Sequence, residues 1–254
     1  MFVEERHNLI ISSLEKKGNI KVKELSREFG LTEDAIRKDL AVLEKKGLLK
    51  RVYGGAVKNR ENLHFFNVEQ RKNQNIEIKK KIAENALSLI KENDMIFLDI
   101  STSNIEIAKL LIKKNIKVTV VTNMIEVMLQ LTAPSNVNTI FIGGEFNEGK
   151  DGFTGSMAIS LIKNFKFDIS FLGVVGVDVY DNSAATYVPD DVMTKRAVIE
   201  ASKKKYMVME NKKFNVDGSF KYAPLDSFNG IVTEEKPSEE IINQLKKYNL
   251  DLIF

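Results

Sequence analysis

From residue 76 onward the chain alternates short, almost wholly apolar runs with amphipathic stretches, and that alternation constrains the fold more than any other feature. The apolar runs fall at 95–99, 117–122, 137–142, 168–174, 205–210, 228–233 and 250–254. Residues 76–91, 103–113, 124–132, 155–164, 190–202 and 238–248 carry apolar side chains at helical spacing; Ile78, Ile82, Ala86 and Ile90 mark the first. Strands apolar on both faces need cover on both faces. The pattern therefore predicts an α/β fold with a parallel sheet packed between helices.

The first 57 residues lack this alternation and read as a separate domain. Val3, Ile10 and Leu14 form the stripe of a helix stopped by Gly18. Val22, Leu25 and Phe29 mark a second helix ending at Gly30. Thr32 suits the N-cap of a third, with Glu33 and Asp34 in its first turn and Ile36, Leu40 and Leu43 inward. Gly47 closes it. A few residues with one glycine between the second and third helices is helix-turn-helix spacing. With Ile36 inward, Asp34, Arg37, Lys38 and Ala41 face out, a stripe suited to the DNA major groove; the alternative is a solvated face with an Asp34–Lys38 pair. Residues 48–57 follow as a basic hairpin carrying Lys50 and Arg51 around Gly54-Gly55, a wing placed to touch phosphates.

Charge separates the two parts. Residues 1–60 hold 14 Lys/Arg against 9 Asp/Glu, and the remainder 24 against 26, so an anionic partner is expected for the head alone. Residues 58–75 are polar and mostly aperiodic, an expected linker that packs in places, leaving 76–254 as the second domain. The chain has no cysteine, which excludes disulfides, thiol catalysis and cysteine-ligated metals. His7 and His64 are its only histidines, so none is available as a catalytic base or metal ligand in residues 65–254. Neither a metal site nor a cofactor is expected. No apolar run approaches the ~18–20 residues of a membrane span, and the start has acids and no apolar core. A cytoplasmic protein is the expectation.

Polar and small residues collect after the predicted strands: Asp99 to Asn104, Thr122-Asn123, Gly143-Gly144, Gly176 to Asp178, and Glu210 to Lys213. Open α/β sheets bind ligands at those carboxyl ends. Ser101-Thr102-Ser103 also opens a helix, offering amides, hydroxyls and a favourable dipole to an anion. Lys213 adds a cation, and Asp99 or Asn123 suits sugar hydroxyls. Each has a plain alternative: a helix cap at 101–103, a turn at 143–144, a surface lysine at 213, a solvated face at Lys195-Arg196. Their joint position favours a small phosphorylated polyol.

These motifs resemble the DeoR family of bacterial transcriptional regulators. Residues 31–47 (LTEDAIRKDLAVLEKKG) and 51–56 (RVYGGA) are similar to its winged helix-turn-helix, departing at Leu31, Thr32, Ala35, Lys38 and Tyr53. Asp99 to Ser103, Val121 to Asn123, Gly143-Gly144, Asp191 to Arg196, Glu210 to Phe214 and Thr233-Glu234 are similar to its effector domain, departing at Ser101 and Glu210. The resemblance implies a winged helix-turn-helix head followed by a Rossmann-like parallel-sheet effector domain sharing its architecture with sugar-phosphate isomerases and deaminases. It implies operator contacts from Thr32, Asp34, Arg37, Lys38, Lys50 and Arg51. It implies effector contacts from Asp99, Ser101, Thr102, Ser103, Thr122, Asn123, Gly143, Gly144, Lys195 and Lys213. The expected function is a DNA-binding repressor of a sugar-metabolism operon that senses a phosphorylated sugar, not an enzyme. Operator symmetry suggests a homo-oligomer. The alternatives are a sugar-phosphate isomerase or deaminase using Asp99, Asp178 or Glu210, and a constitutive DNA-binding protein with a vestigial pocket.

Overall fold

The computed structural model describes residues 3–17, 19–46, 48–52, 54–58, 68–214, 216 and 218–254. Gly18, Gly47, Tyr53, His64 and the side chain of Lys50, to which the sequence attaches expectations, lie outside the described residues. The chain divides into two units, Met1–Glu61 and Asn62–Phe254, so residues 62–75 fall with the second.

In the first unit, helices α1 (Val3–Lys17), α2 (Val22–Phe29) and α3 (Glu33–Lys45) pack with strands β1 (Asn19–Lys21), β2 (Leu49–Val52) and β3 (Gly55–Lys58). Ile10, Leu14, Leu25, Ile36, Leu40, Leu43 and Leu49 are buried together, as their helical spacing requires. Gly30 ends α2 at φ +65°, and the Ser26 carbonyl accepts the Leu31 amide at 3.0 Å. Thr32 then caps α3 by accepting the Ala35 amide at 3.3 Å. The wing has three antiparallel strands in the order β1-β3-β2, where the sequence suggests two. β1 escapes sequence reading because three residues carry no alternation. The paired glycines meet separate needs. Gly54 takes φ +80° in the turn, whereas a Cβ at Gly55 would stand 2.0 Å from the Ile20 carbonyl oxygen of β1.

Asp39, buried on α3, ties that helix to α1. Its carboxylate accepts two bonds from Arg6, at 2.6 and 2.9 Å, and lies 3.1 Å from His7 Nε2. Burial alone would raise the Asp39 carboxyl, but the bonds from Arg6 and His7 outweigh it and hold the group below its usual range.

The second unit begins with α4 (Val68–Asn73) and α5 (Ile76–Leu87). Seven parallel strands follow: β4 (Met95–Leu98), β5 (Val118–Thr122), β6 (Val137–Phe141), β9 (Phe167–Gly173), β12 (Ser202–Val208), β14 (Gly230–Val232) and β15 (Asp251–Ile253). Their order is β15-β14-β12-β9-β4-β5-β6. The chain builds outward from β4 through β5 to β6, returns to the other side of β4, and builds outward again. The order therefore reverses between β4 and β9, and the crevice above that pair is the topological switch point of a doubly wound sheet.

Helices cover both faces. Ile96 and Leu98, Val118 and Val120, and Tyr206 and Val208 share a core with α5, α6 (Thr102–Lys113) and α7 (Ile125–Gln130). Phe97, Val121 and Met207 point the other way, toward α8 (Gly155–Ile162), α9 (Pro189–Ala201) and α10 (Glu239–Leu245). Asp168 sits at the opposite end from the crevice, accepting the Met95 amide at 2.9 Å and Lys203 at 2.8 Å, a strand-start role.

Several boundaries differ from the sequence reading. α5 stops at Leu87, and β12 starts at Ser202, directly from α9, rather than at 205. The region 228–233 contributes only Gly230–Val232, and 238–248 divides into α10 and a 3-10 turn. Two small antiparallel pieces were not legible because they lack period: a hairpin of β7 (Glu145–Phe146) with β8 (Phe153–Thr154), and a sheet of β10 (Gly176–Asp178), β11 (Ser183–Thr186) and β13 (Phe220–Ala223).

Replacing Asp39 with Ala leaves Arg6 and His7 without their shared acceptor. It is expected to destabilise the first unit by about 1–3 kcal/mol, measured by thermal unfolding. Because the Asp39 carboxyl is lowered on folding, its contribution is full above the ordinary carboxylate range and is lost as pH falls through the folded value. The variant's deficit should therefore shrink in strong acid.

Candidate functional site

On the first unit, Thr32, Asp34, Arg37 and Lys38 are all exposed at the start of α3, with Ala41 half-buried beside them. Asp34 pairs with Arg37 at 2.9 Å rather than with Lys38, and Glu33 takes the other end of the same guanidinium at 2.7 Å. Lys38 has no ion pair among the described residues. Arg51 is tied to α3 by Glu44, which accepts its backbone amide at 2.8 Å and its Nε at 2.7 Å. These pairs are exposed, and such pairs are worth about 0–1 kcal/mol each, less than the ~1–3 kcal/mol of a bidentate arginine–guanine contact. A base edge can therefore take Arg37 from its acidic neighbours.

On the second unit, a cavity of about 120 Å³ opens at the switch point. One water needs about 10–15 Å³ by this measure, so the space admits a small organic ligand. Its floor is the end of β4 and the first turn of α6, where Ser101 caps the helix by accepting the Ser103 amide at 3.3 Å. The end of β9 faces it. There Gly173 is required by close approach, since a Cβ would stand 2.8 Å from that of Ser101 and 2.9 Å from the Ile100 carbonyl oxygen.

A buried charge cluster adjoins this floor. The Lys195 ammonium, reaching in from α9, bonds Asp99 Oδ2 and lies 3.5 Å from Asp191 Oδ1. Asp99 Oδ2 also accepts the Gly173 amide at 2.9 Å, and Asp191 accepts the Thr186 hydroxyl at 2.6 Å. Burial works against charge on Lys195, but Asp191 and Asp99 outweigh it and hold the ammonium above its ordinary pKa. Burial also lifts Asp191 to about 6, against the pull of Lys195. Asp99 Oδ1 is buried with no partner among the described residues.

Two further lysines stand on the cavity wall without a carboxylate in ion-pair range among the described residues. Lys79 on α5 donates to the carbonyls of Arg71 and Gln74; Lys213 donates to that of Val174 at 2.7 Å. Burial pushes both down to about 8. Glu210, whose charge acts on both lysines, is engaged by Asn75 at 2.6 Å and Lys212 at 3.0 Å.

Of the residues expected at the effector site, Ser101, Thr102, Lys195 and Lys213 line the cavity. Asp99 lies beneath it. Ser103, Thr122, Asn123, Gly143 and Gly144 do not reach its wall. Thr122 donates to the Leu98 carbonyl at 2.6 Å, and Asn123 donates to that of Phe153 at 2.8 Å, bonds that join strand ends. A Cβ at Gly144 would stand 2.8 Å from the Thr154 carbonyl oxygen, so that glycine serves packing against α8. Arg71, Lys79, Asn147, Gly173 and Thr186 line the cavity without having been singled out from sequence. Only Gly173, at the end of an apolar run, carried a usable signal. Among the described residues there is no cluster of three or more His, Asp or Glu positioned for a metal, and no helix is long and apolar enough to cross a membrane.

Residues 6–62 match a family model described as the DeoR-like helix-turn-helix domain, and residues 74–235 one described as the DeoR C-terminal sensor domain. The L-fucose operon activator of Haemophilus influenzae is 32% identical, over 96% of this chain and 95% of its own length. The glycerol-3-phosphate regulon repressor of Escherichia coli is 27% identical, over 98% and 97%. Among solved structures, ribose 5-phosphate isomerase A from Methanocaldococcus jannaschii aligns with 56% of this chain and 55% of its own at 15% identity and a TM-score of 0.40.

An anion seated between Lys79 and Lys213 stabilises their charged forms and raises both pKa values. Affinity should therefore be greatest below about pH 8 and fall as pH rises through that value. Calorimetric titration with inorganic sulfate, whose charge is constant over that range, checks this; a flat profile would place the anion elsewhere.

Proposed function

The chain belongs to the DeoR family of DNA-binding transcriptional regulators, and from that premise we propose that it is a repressor of a sugar-metabolism operon, released from its operator by a phosphorylated sugar. The observation that carries the effector assignment is the pair of cavity-wall lysines, Lys79 and Lys213, with no carboxylate partner among the described residues, beside the first turn of α6. An anion supplies the missing charge, and the helix end adds amides and a favourable dipole. Ser101 and Thr102 complete the phosphate cradle. Asp191 and Thr186 offer polar partners to sugar hydroxyls. Lys195, on the cavity wall, pairs with Asp99 and keeps the floor of the site in shape.

DNA is bound by the first unit. α3 enters the major groove with Arg37 and Lys38 directed at bases, Thr32 and Asp34 at its leading end, and the wing residues Lys50 and Arg51 at phosphates. Repression is supported by the Escherichia coli relative's name, and the Haemophilus influenzae relative's name is that of an activator. The protein acts in the cytoplasm as a homo-oligomer matched to a symmetric operator, and it is not an enzyme. Of the acids an isomerase would use, Asp99 is buried under the cavity and held by Lys195 and the Gly173 amide, and Glu210 is engaged by Asn75 and Lys212. Ligand binding shifts the population between a DNA-competent state and a weaker one.

The reading is tested by mobility shift on DNA upstream of the chain's own and neighbouring genes, at fixed salt, with a panel of sugar phosphates. Specific binding released by one compound is expected. Saturable turnover of a sugar phosphate would contradict the non-enzymatic assignment. Replacing Arg37 with Ala should weaken specific binding by about 1–3 kcal/mol, and unchanged affinity would remove it from the interface.

A further inference from the structure

Residues 71–79, the elbow between α4 and α5, read from sequence as the end of a polar connector and the start of a helix. In the structure they are also one wall of the cavity, through Arg71, Gln74 and Lys79. The same residues hold the elbow together. Lys79 Nζ donates to the Gln74 carbonyl at 2.7 Å and to that of Arg71. Asn75 sits at φ +52°, and its side chain donates to Glu210. Arg71 pairs with the fully buried Asp151, and Lys72 lies 3.1 Å from Glu126 on α7. The buried Lys79 ammonium thus faces the ligand space while two of its three N–H donors are held by carbonyls of the connector.

We propose that Arg71 and Lys79 are ligands of the effector's anionic group, and that the 71–79 elbow is where occupancy of the cavity is converted into release of the connector leading to the first unit. The proposal rests on the reading of the cavity as a phosphorylated-sugar site. The physical basis is a pull on one ammonium from two sides: two of its three N–H donors are held by connector carbonyls, and an anion competes for the ammonium as a whole. Its bonds to the carbonyls are charge-assisted through the donor alone, whereas an anionic oxygen adds a charge–charge attraction that low dielectric strengthens. An anion at the α6 terminus therefore draws Lys79 from the two connector carbonyls and offers Arg71 an acceptor besides Asp151. Those carbonyls lose their buried partner, and the elbow loosens. A ligand shifts such an equilibrium only by its differential contacts with the two states, and Lys79 supplies that difference because it bonds the connector in one and the ligand in the other.

The test is hydrogen–deuterium exchange of the full-length chain in inorganic phosphate against chloride of equal ionic strength. Slower exchange at 100–106 together with faster exchange at 71–79 is expected. Slower exchange at 100–106 with unchanged or slowed exchange at 71–79 overturns the proposal and leaves the cavity's anion site standing. No effect at 100–106 removes both. The Lys79→Met variant should lose at least about tenfold in phosphate affinity by calorimetry, with Lys79→Arg recovering part of it. Wild-type affinity in Lys79→Met overturns the assignment of Lys79 as a ligand.

Discussion

The buried contact between Lys195 and Asp99 is the interaction on which the second unit's architecture turns. It stands where the strand order reverses, joining the end of β4 to α9, while the same carboxylate takes the Gly173 amide at the end of β9. At a switch point the connecting chains leave neighbouring strands in opposite directions, and a crevice opens between them. One carboxylate bridges both strand ends, and one lysine on the cavity wall ties it to α9. A buried ion pair is weak evidence for stability, because desolvation offsets most of its attraction. Its use here is positional: it sets the floor on which the α6 terminus, Gly173 and the wall lysines converge.

Charge is distributed in two different ways along one chain. In the first unit Arg6 and Asp39 pair inside, while the charges of the α3 face and the wing form exposed pairs that an anionic partner can displace at small cost. In the second, Lys195 pairs with Asp99 and Arg71 with Asp151, while the wall lysines Lys79 and Lys213 have carbonyl partners instead of carboxylates. The first arrangement suits a partner that is a polyanion approached from solvent. The second suits a single small anion taken out of solvent, where low dielectric strengthens each contact. A DNA-binding regulator with a sensor domain requires both.

Much of this was legible in the sequence because the governing periods are long and regular. Apolar runs alternating with helices gave the parallel sheet, and the rule that ligands bind at strand carboxyl ends brought Ser101, Thr102 and Lys213 together. The same rule over-collected. Thr122 and Asn123 also follow a strand, yet their side chains bond backbone carbonyls of neighbouring strands, since buried strand ends need polar partners as much as ligands do. It under-collected where a cavity-wall residue precedes the sheet. Arg71 and Lys79 lie in a polar connector and on a helix face, where charge ordinarily means solvent, and only the tertiary fold turns them inward. The small sheet of β10, β11 and β13 was invisible because its strands of three and four residues have no alternation to detect.

The most direct measurement is a diffraction experiment on crystals of the full-length chain grown with the sugar phosphate that releases operator DNA. The account predicts the phosphorus atom at the switch point, within hydrogen-bonding reach of the Ser101–Thr102 turn and the ammonium of Lys213, with Lys195 still on Asp99. A phosphoryl group at the opposite end of the sheet near Asp168, or anywhere outside the crevice between β4 and β9, would contradict it.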